Sequence, residues 1–270
     1  DFNSGTPIIY GVNRIQNFKA TNANITDNSG NLLFSSNGVW IADATGDTML
    51  NGSGLNPSNY TTSNTPYGLY IAQGNVIIPA PGNSELYYLF HITIDETTLG
   101  GHYITHNLYC STIDMSLNGG LGAVINKNAV ILNGDIVPGK LTAVKHGNGI
   151  DWWLIGHLYN SYSYVKFLID SAGIHGPYNI GAGVLRLDAT GQCAFSADGN
   201  KMAYYDVITD LDIFDFDRCS GTLSNFIHIA IDDSAQSAGV AFSPSGRFLY
   251  VPSMHYLYQY DLQSSNIDSS

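Results

Sequence analysis

One string of residues occurs twice near the carboxyl end of the chain and limits the possible folds more than any other feature. Gly191–Asp217 contains Phe-Ser-Ala-Asp-Gly, and Gly239–Asp261 contains Phe-Ser-Pro-Ser-Gly 47 residues further on. Each copy reads as a short apolar strand, a tight turn, a second strand, and a third strand that ends in an aromatic residue and Asp. An all-strand repeat of about 40 to 50 residues is typical of a β-propeller blade. The sequence therefore predicts an all-β propeller.

Turn glycines extend this pattern through the rest of the chain. They mark about five blades, at Gly30, Gly82, Gly149, Gly199 and Gly246. Tight hairpin turns need positive φ, which glycine adopts without steric cost. We treat residues 1–270 as a single propeller domain. The ring either closes with five blades, Ile8–Tyr10 completing the last one, or belongs to a longer protein with a larger ring of seven.

The composition excludes several function classes. Asp and Glu number 22 against 10 Lys and Arg, giving a net charge of −12, so the chain lacks the basic track that nucleic acid requires. Only Glu85 and Glu96 are Glu, which argues against long helices. No apolar run is long enough to span a membrane, and no signal peptide is visible, as if a leader had been removed. Three scattered cysteines predict neither a disulfide framework nor a metal site.

Several segments between the repeats resemble functional motifs, and we interpret them as connections. Residues 56–70 are a polar connection, and His102 and His106 lie in a loop, where a spacing of four does not align two ligands. Gly119–Gly122 is a hairpin turn, since a nucleotide loop would also need a βαβ context and a Lys followed by Ser or Thr. Asn128–Leu132 is predicted as a fourth strand.

Carboxylates are the next candidates, and they predict no metal site. Asp27–Asn31 resembles part of a calcium loop, but the remaining ligands and a closing Glu are missing, so calcium stays the alternative to no cofactor. Asp210, Asp212, Asp215 and Asp217 crowd one strand. Alternation divides them between its two faces, so they cannot form one cage, and we interpret this strand as a solvated outer strand.

Aromatic residues and one histidine are the candidate ligand-binding groups. Trp40, Trp152, Trp153 and the tyrosines could form a stacking platform for sugars, although tryptophans on second strands more often pack between blades. His146, next to Lys145, lies where an inner strand meets a turn. A general base is conceivable there, but no partner acid or nucleophile can be assigned, so we predict no catalytic residue.

Several strings resemble secreted β-propeller proteins of Bacteroidetes. The most distinctive is Asp114–Gly122, and the others are DFNSG at 1–5, DNSGNLLF at 27–34, and residues 140–146, 151–155, 211–217 and 242–246. Members are commonly exported by the type IX secretion system and are usually longer, with a C-terminal sorting domain. The resemblance implies an extracellular or cell-surface location. It implies no active site, because this family has no agreed catalytic residues.

Two functions are consistent with these observations. The first is a non-enzymatic binding or adhesion module at the cell surface, whose partner is a protein, a glycan or the secretion machinery. The second is an enzyme of the lactonase or glycan-lyase kind, with a metal or general base in the central channel. Carboxylates or histidines converging in the channel would favour the enzyme, and an apolar plug would favour the binding module.

The resemblance also implies covalent modification. Similar surface proteins are often O-glycosylated at Asp-Ser or Asp-Thr followed by a small or apolar residue. This pattern predicts glycosylation at Thr48, Ser171 and Ser234, each in a loop or just past a strand, where a bulky glycan costs no burial.

Overall fold

The computed structural model of the protein describes residues 14–187, 190–234 and 236–268. These residues form five consecutive antiparallel meanders. The first strand of each meander packs against the first strand of the next one, and residues on or beside these strands line one central cavity. This is the organisation of a β-propeller, and it confirms the predicted all-β class.

The first two meanders belong to one hydrogen-bonded sheet. The first consists of β1 (Ala23–Thr26), β2 (Leu32–Ser36), β3 (Trp40–Asp43) and β4 (Thr48–Ser53). The second consists of β5 (Asn75–Pro79), β6 (Leu86–His91), β8 (Tyr103–Asp114) and β9 (Ala123–Ile136), with the two-residue β7 (Glu96–Thr97) paired to β8. A parallel bridge between Leu50 and Ala123 joins β4 to β9.

The other three meanders are separate sheets. The third consists of β10 (Thr142–Lys145), β11 (Trp152–His157), β12 (Ser161–Asp170) and β13 (Gly173–Arg186). The fourth consists of β14 (Gly191–Phe195), β15 (Lys201–Asp206), β16 (Asp210–Asp217) and β17 (Thr222–Ile229). The fifth has three strands in the described residues, β18 (Ala241–Phe242), β19 (Phe248–Pro252) and β20 (Leu257–Asp261).

The turn glycines occupy the predicted positions. Each joins the first two strands of a meander, and φ lies between +70° and +83° at all five. At Gly199 a Cβ atom would come within 2.7 Å of Val144 Cγ2, so both the backbone conformation and the available space favour glycine there.

One local prediction is wrong, and one predicted connection contains a helix that the sequence did not indicate. His106 is not in a loop, because β8 begins at Tyr103 and includes it. The polar connection at 56–70 contains a short helix, α1 (Asn59–Asn64), which begins after Ser58, whose Oγ accepts a hydrogen bond from Thr61 N at 3.0 Å. A side-chain cap of this kind satisfies one of the free N–H groups at a helix start, so the helix forms without apolar periodicity.

The apolar core lies between neighbouring meanders rather than within one sheet. Leu89 and Phe90 are adjacent on β6 and both 0% exposed, yet they pack into two different clusters. A strand with neighbours on both faces buries every side chain, which explains the continuous apolar run around them. Across residues 14–187, 190–234 and 236–268, no helix is long and apolar enough to cross a membrane.

Candidate functional site

The central channel is a cavity of about 570 Å³ lined by the first strands and the residues beside them. Its polar side chains are uncharged, namely Asn22, Asn24, Gln73, Asn75, Thr142 and Gln192. The rest of the lining is small or aliphatic. Among the described residues, no carboxylate, histidine, lysine or arginine lines the channel. This part of the lining therefore supplies neither a side-chain ligand of the usual charged or imidazole type for a metal nor a general base.

Two of these carboxamides form hydrogen bonds with backbone groups of another meander or of the segment leading into it. Gln73 Nε2 donates to the Cys193 carbonyl, and Gln73 Oε1 accepts from the Cys193 amide, both at 2.8 Å. Gln192 Oε1 accepts from Val240 N at 2.9 Å. An inner strand presents unpaired N–H and C=O groups towards the channel, and these side chains satisfy some of them. Gln73 and Gln192 therefore stabilise the contact between meanders.

A second cavity of about 540 Å³ adjoins the channel, and the two share Ala20, Ala72 and Gly191 as lining residues. We call it the mouth pocket. Its side walls come from α1, the segment before β5, the β7–β8 hairpin, the segment before β10 and the β15–β16 turn. These supply Tyr60, Tyr70, His102, Tyr103, Lys140 and Ile208.

Tyrosines are the prominent side chains of the mouth pocket. Tyr70 is 53% exposed and Tyr103 is 41% exposed. The Lys19 ammonium lies 5.4 Å from the ring centroid of Tyr70, a distance at which a cation is attracted to an aromatic face. Rigid tyrosine rings at the edge of a cavity offer apolar contact area together with a polar hydroxyl, a combination suited to ligand recognition.

Lys140 lies between the mouth pocket and the interior. It is 3% exposed, its φ is +55°, and its Nζ lies 5.6 Å from the Tyr204 ring centroid. The preceding Gly139 packs so tightly that a Cβ atom would lie 2.3 Å from the Ala72 carbonyl oxygen. Lys140 N donates to that same oxygen at 3.2 Å. The backbone beside Ala72 thus holds Lys140 in a left-handed conformation that non-glycine residues seldom adopt.

Behind Lys140 lies a buried ionic cluster between the third and fourth meanders. Arg186 is 0% exposed, with Nη1 2.7 Å from Asp206 Oδ2 and Nη2 2.6 Å from Asp212 Oδ2. The guanidinium also donates to Thr209 Oγ1 and lies 4.6 Å from the Tyr204 ring centroid. His228 Nδ1 is 2.8 Å from Asp212 Oδ1. We name Arg186, Asp206 and Asp212 the arginine cluster.

Attraction between opposite charges affects the pKa values of Arg186 and Asp206 more than burial does. Burial alone lowers the pKa of Arg186, but Asp206 and Asp212 raise it above the ordinary value. Burial alone raises the pKa of Asp206, but Arg186 and Lys140 hold it below the ordinary value. Arg186 and Asp206 therefore remain charged in the folded protein. The arginine cluster joins two meanders and has almost no surface to offer a ligand.

This cluster corrects the interpretation of the Asp-rich strand. We expected Asp210, Asp212, Asp215 and Asp217 on a solvated outer strand, but β16 is a third strand with β17 outside it, and Asp212 is 0% exposed. Asp215 instead pairs with Lys201 at 2.6 Å. The prediction failed for Asp212 because the end of β13, which packs beside it, supplies Arg186 as a buried counterion.

A serine, a histidine and an asparagine form a line between the first two meanders that resembles a catalytic triad. His91 Nε2 lies 2.9 Å from Ser111 Oγ, and His91 Nδ1 lies 2.7 Å from Asn56 Oδ1. Asn56 Nδ2 donates to the Gly38 carbonyl, so its Oδ1 is the acceptor and His91 carries its proton on Nδ1. All three residues are 0% exposed and none lines a described cavity, so the line is a structural network.

The ligand-binding residues predicted from sequence lie away from both cavities. Trp152 packs with the cluster that Trp40 also contacts, under the Lys145 ammonium at 4.1 Å from its ring centroid. Trp153 faces the opposite side of β11, is 5% exposed, and donates from its indole nitrogen to the Arg218 carbonyl at 2.8 Å. The three tryptophans therefore do not form a common platform.

His146 is half-buried at the turn after β10. Its Nδ1 accepts from Asn148 N at 3.1 Å, and its Nε2 donates to the Cys219 carbonyl at 3.0 Å. Its ring centroid lies 5.7 Å from that of Trp153. These contacts place His146 at the junction of two turns, outside the lining of the channel and the mouth pocket.

The carboxylate on which the calcium alternative depends, Asp27, already accepts hydrogen bonds from residues of its own turn. Asp27 Oδ1 accepts from the amides of Ser29 and Asn31, both at 2.8 Å, and Oδ2 accepts from Asn31 Nδ2 at 2.9 Å. These hydrogen bonds lower the pKa of Asp27, and the hydrogen bond from the Asn31 side chain has the largest effect. Within the part of the chain that the structure describes, no three His, Cys, Asp or Glu residues form a group that could hold a metal ion.

The predicted glycosylation positions are all at the surface. Thr48 begins β4, Ser171 lies in the β12–β13 turn, and Ser234 follows β17 with φ +54°. All three residues are exposed. The small residue after Ser234 lies outside the described residues.

The sequence suggested the tyrosines only as a group and did not single out those of the mouth pocket. Tyr60, Tyr70 and Tyr103 come from three separate connections, and the only sequence signal for them was the unusual number of tyrosines, 18 in the chain. No local spacing could have grouped them, because the ring of meanders brings the connections together.

Comparisons with known proteins add no family. No protein-family model matches the chain, and no curated protein matches it in sequence. Among solved structures, hydrazine synthase of Kuenenia stuttgartiensis is similar, with a TM-score of 0.45, 13% identity, and coverage of 87% of this chain and 70% of that one. The Dos1 propeller has a TM-score of 0.45 and 11% identity, with coverage of 91% of this chain and 62% of that one. Apo AztD from Citrobacter koseri has a TM-score of 0.43 and 10% identity, with coverage of 89% of this chain and 53% of that one. Likenesses this weak carry no argument about function.

Proposed function

We propose that this chain is a non-enzymatic binding propeller of the extracellular space or the cell surface, which recognises a glycan at the mouth pocket. The observation that supports it most is the pair of exposed tyrosines, Tyr70 and Tyr103, at the wall of a cavity of about 540 Å³. Cavities of this size suit small ligands or the end of a longer one. Tyrosine rings pack against the apolar faces of sugar rings, and their hydroxyls bond the sugar hydroxyls.

The described lining of the channel is neither the apolar plug nor the group of carboxylates or histidines that we expected to separate the two functions, and its uncharged polar side chains support binding over catalysis. A propeller enzyme of the lactonase or glycan-lyase kind would need a metal or a general base near the axis. The described channel residues are carboxamides, one threonine, and small or aliphatic side chains. An unperturbed carboxamide is neither an acid nor a base, so this lining can orient a ligand through hydrogen bonds but cannot move a proton.

The location and the ring size belong to the same proposal. The resemblance of Asp114–Gly122 and the other strings to secreted propellers supports export by the type IX secretion system. Five meanders around one channel support a ring of five blades, with Ile8–Tyr10, which lie outside the described residues, as the strand that completes the fifth. A larger ring in a longer protein is the alternative. The partner alternatives are a surface protein and the secretion machinery.

The glycan proposal predicts that the mouth-pocket tyrosines carry the affinity. A glycan array of bacterial and host surface polysaccharides identifies ligands, and isothermal titration then compares variants. Tyr70→Ala and Tyr103→Ala are each expected to weaken binding about tenfold, since aromatic contacts at the centre of an interface commonly contribute more than about 1 kcal/mol.

Tyr162→Ala is the matched control for this titration. Tyr162 is 59% exposed on β12 and lines neither cavity, so its removal should leave the affinity unchanged. Equal losses in all three variants, or binding of a protein partner with no glycan bound at all, would contradict the proposed glycan site.

Glycosylation is proposed at Thr48, Ser171 and Ser234, whose exposure leaves room for a glycan. Protein purified from its native host is expected to carry added mass on at least one of the three. Intact-mass measurement followed by peptide mapping checks this, with protein expressed in a host without the modification as the control. A bare polypeptide mass for the native material would reject it.

A further inference from the structure

A lysine at the edge of the mouth pocket lies against tyrosine rings instead of a carboxylate. The Lys19 ammonium is 5.4 Å from the ring centroid of Tyr70, which lines the pocket, and 5.7 Å from that of Tyr67. Among the described residues, no carboxylate forms an ion pair with Lys19. Lys19, Tyr67 and Tyr70 are all exposed, so a ligand can reach each of these side chains.

Hydrogen bonds hold the segment that carries Lys19 beside the segment that carries the two tyrosines. Asn17 Nδ2 donates to the Pro66 carbonyl at 2.9 Å, and Thr21 N donates to the Leu69 carbonyl at 3.0 Å. Asn17 and Thr21 lie on either side of Lys19 in the chain, so its backbone is fixed before a ligand arrives. A binding group that is already in place loses less conformational freedom when the ligand binds.

The mouth pocket differs in charge from the rest of this acidic protein. The chain has 22 Asp and Glu against 10 Lys and Arg, yet no carboxylate is among the described residues that line the pocket, whereas His102 and Lys140 are. The carboxylates of Asp95 and Glu96 contact another residue, His106. Asp95 Oδ2 accepts from His106 N at 2.7 Å, and Glu96 Oε2 lies 3.4 Å from His106 Nε2.

Of the two lysines at the mouth pocket, Lys19 is the one that a ligand can reach. Lys140 is 3% exposed, its Nζ lies 5.6 Å from the Tyr204 ring centroid, and its charge helps to lower the pKa of Asp206. Asp206 in turn lies 2.7 Å from Arg186. The charge of Lys140 therefore acts on the protein interior, and the positive charge available to a ligand at this edge is that of Lys19.

An accessible ammonium with no counterion favours a ligand that brings a negative charge. Opposite charges in contact attract each other even at a protein surface, and a neutral sugar gains none of this attraction. The net charge of −12 repels anions, but at physiological ionic strength charges farther away than about 8 Å are largely screened. The adjacent ammonium therefore outweighs carboxylates elsewhere on the protein.

We propose that the glycan bound at the mouth pocket is acidic, and that the Lys19 ammonium binds its carboxylate or sulfate group while Tyr70 packs against the sugar ring. The ligand class is assigned to the site of the proposed function, on which it rests. The ammonium and the ring centroid are 5.4 Å apart, so one sugar unit and its charged substituent can contact both. A neutral glycan contacts only the ring.

The test is isothermal titration of the full chain with acidic oligosaccharides and their neutral counterparts. Oligogalacturonate and oligomannuronate carry carboxylates, and a sulfated oligogalactan carries sulfates. Carboxyl reduction or desulfation removes the charge and keeps the linkages. At least one acidic oligosaccharide is expected to bind about tenfold more tightly than its neutral counterpart at about 0.05 M NaCl, and this preference should shrink at about 0.5 M NaCl. Which acidic probes bind identifies the carboxylate or the sulfate as the recognised group.

Variants assign the preference to Lys19. Lys19→Gln is expected to weaken the acidic oligosaccharide about tenfold and to leave its neutral counterpart unchanged, whereas Lys19→Arg, which keeps the charge, should retain the preference. Lys201→Gln is the matched control, because it removes the same charge from a lysine that pairs with Asp215 and does not line the mouth pocket. Thermal unfolding verifies that each variant is folded.

Three results would overturn the acidic ligand: no acidic oligosaccharide binds, the neutral counterpart binds as tightly, or Lys19→Gln keeps the preference. The tyrosine variants separate these results from failure of the proposed function. A neutral glycan that is lost in Tyr70→Ala and unchanged in Lys19→Gln would reject the acidic ligand and keep the mouth pocket as the glycan site. Acidic oligosaccharides that depend on Lys19 but on neither Tyr70 nor Tyr103 would reject the mouth pocket itself.

Discussion

Replacing Arg186 by methionine is expected to lower the free energy of unfolding by about 3–5 kcal/mol, because the change leaves two buried carboxylates without their counterion. Asp206 and Asp212 are 0–1% exposed and lie 2.6–2.7 Å from the guanidinium. Methionine keeps much of the side-chain volume, so most of the loss reflects the missing charge and its hydrogen bonds. Urea unfolding followed by circular dichroism measures it.

Arg247→Met is the matched control for Arg186→Met. Arg247 also lies 2.6 Å from an aspartate, Asp261, but its side chain is 48% exposed. Water screens such a pair, and surface ion pairs contribute little to stability. Equal and small losses in the two variants would show that the arginine cluster does not hold the third and fourth meanders together.

Acid is expected to destabilise the protein before its aspartates titrate, because two histidines are buried in their neutral form. Burial lowers the pKa of His91 from the ordinary 6.5 to about 3, and burial likewise lowers the pKa of His157 to about 4. Below pH 6.5 the unfolded chain therefore binds protons that the folded chain does not. The stability is complete above pH 6.5 and falls as the pH drops towards the folded values, by roughly 1 kcal/mol per pH unit for each histidine.

His91→Gln isolates this effect. Unfolding free energies across that pH window should fall less steeply in His91→Gln than in the wild type, even though the variant is less stable throughout. His255→Gln, which changes an exposed histidine, should keep the wild-type slope. The comparison of slopes is needed because the hydrogen bond with Asp135 raises the pKa of His106, which acts in the opposite sense. Identical slopes in all three proteins would contradict neutral burial of His91.

The parts of the fold that sequence could predict are those that local chemistry decides. Positive φ at the five turn glycines is a backbone requirement, so their spacing located each hairpin. The outer strand β13 was missed because its residues, Gly173–Arg186, include four glycines and a proline, which normally indicate a loop. Pairing with β12 across its register shifts overrides that preference. Tertiary pairing, not propensity, forms this strand.

The candidate site was less predictable, because its residues converge only when the meanders pack. We predicted a solvated outer strand for Asp212, and nothing in that strand indicated that Arg186 at the end of β13 would cover it. Likewise, no local pattern marks Asn75 as a residue of the channel wall. Its position on the channel wall depends on four other first strands. Burial and charge pairing across meanders have no signature in local sequence.

We propose that this propeller binds a glycan without altering it, and recovery of the ligand after binding tests this proposal. A glycan that binds in titration is incubated with an equimolar amount of protein for many times the half-life of the complex. It is then released, and its mass is measured by mass spectrometry. We predict a ligand of unchanged mass, since no carboxylate is among the described residues that line the channel or the mouth pocket, and His102 of the mouth pocket therefore has no acid beside it in that lining. A product with one water added, or a chain broken by elimination, whose formation is lost in Tyr70→Ala and Tyr103→Ala would contradict the proposal and favour an enzyme.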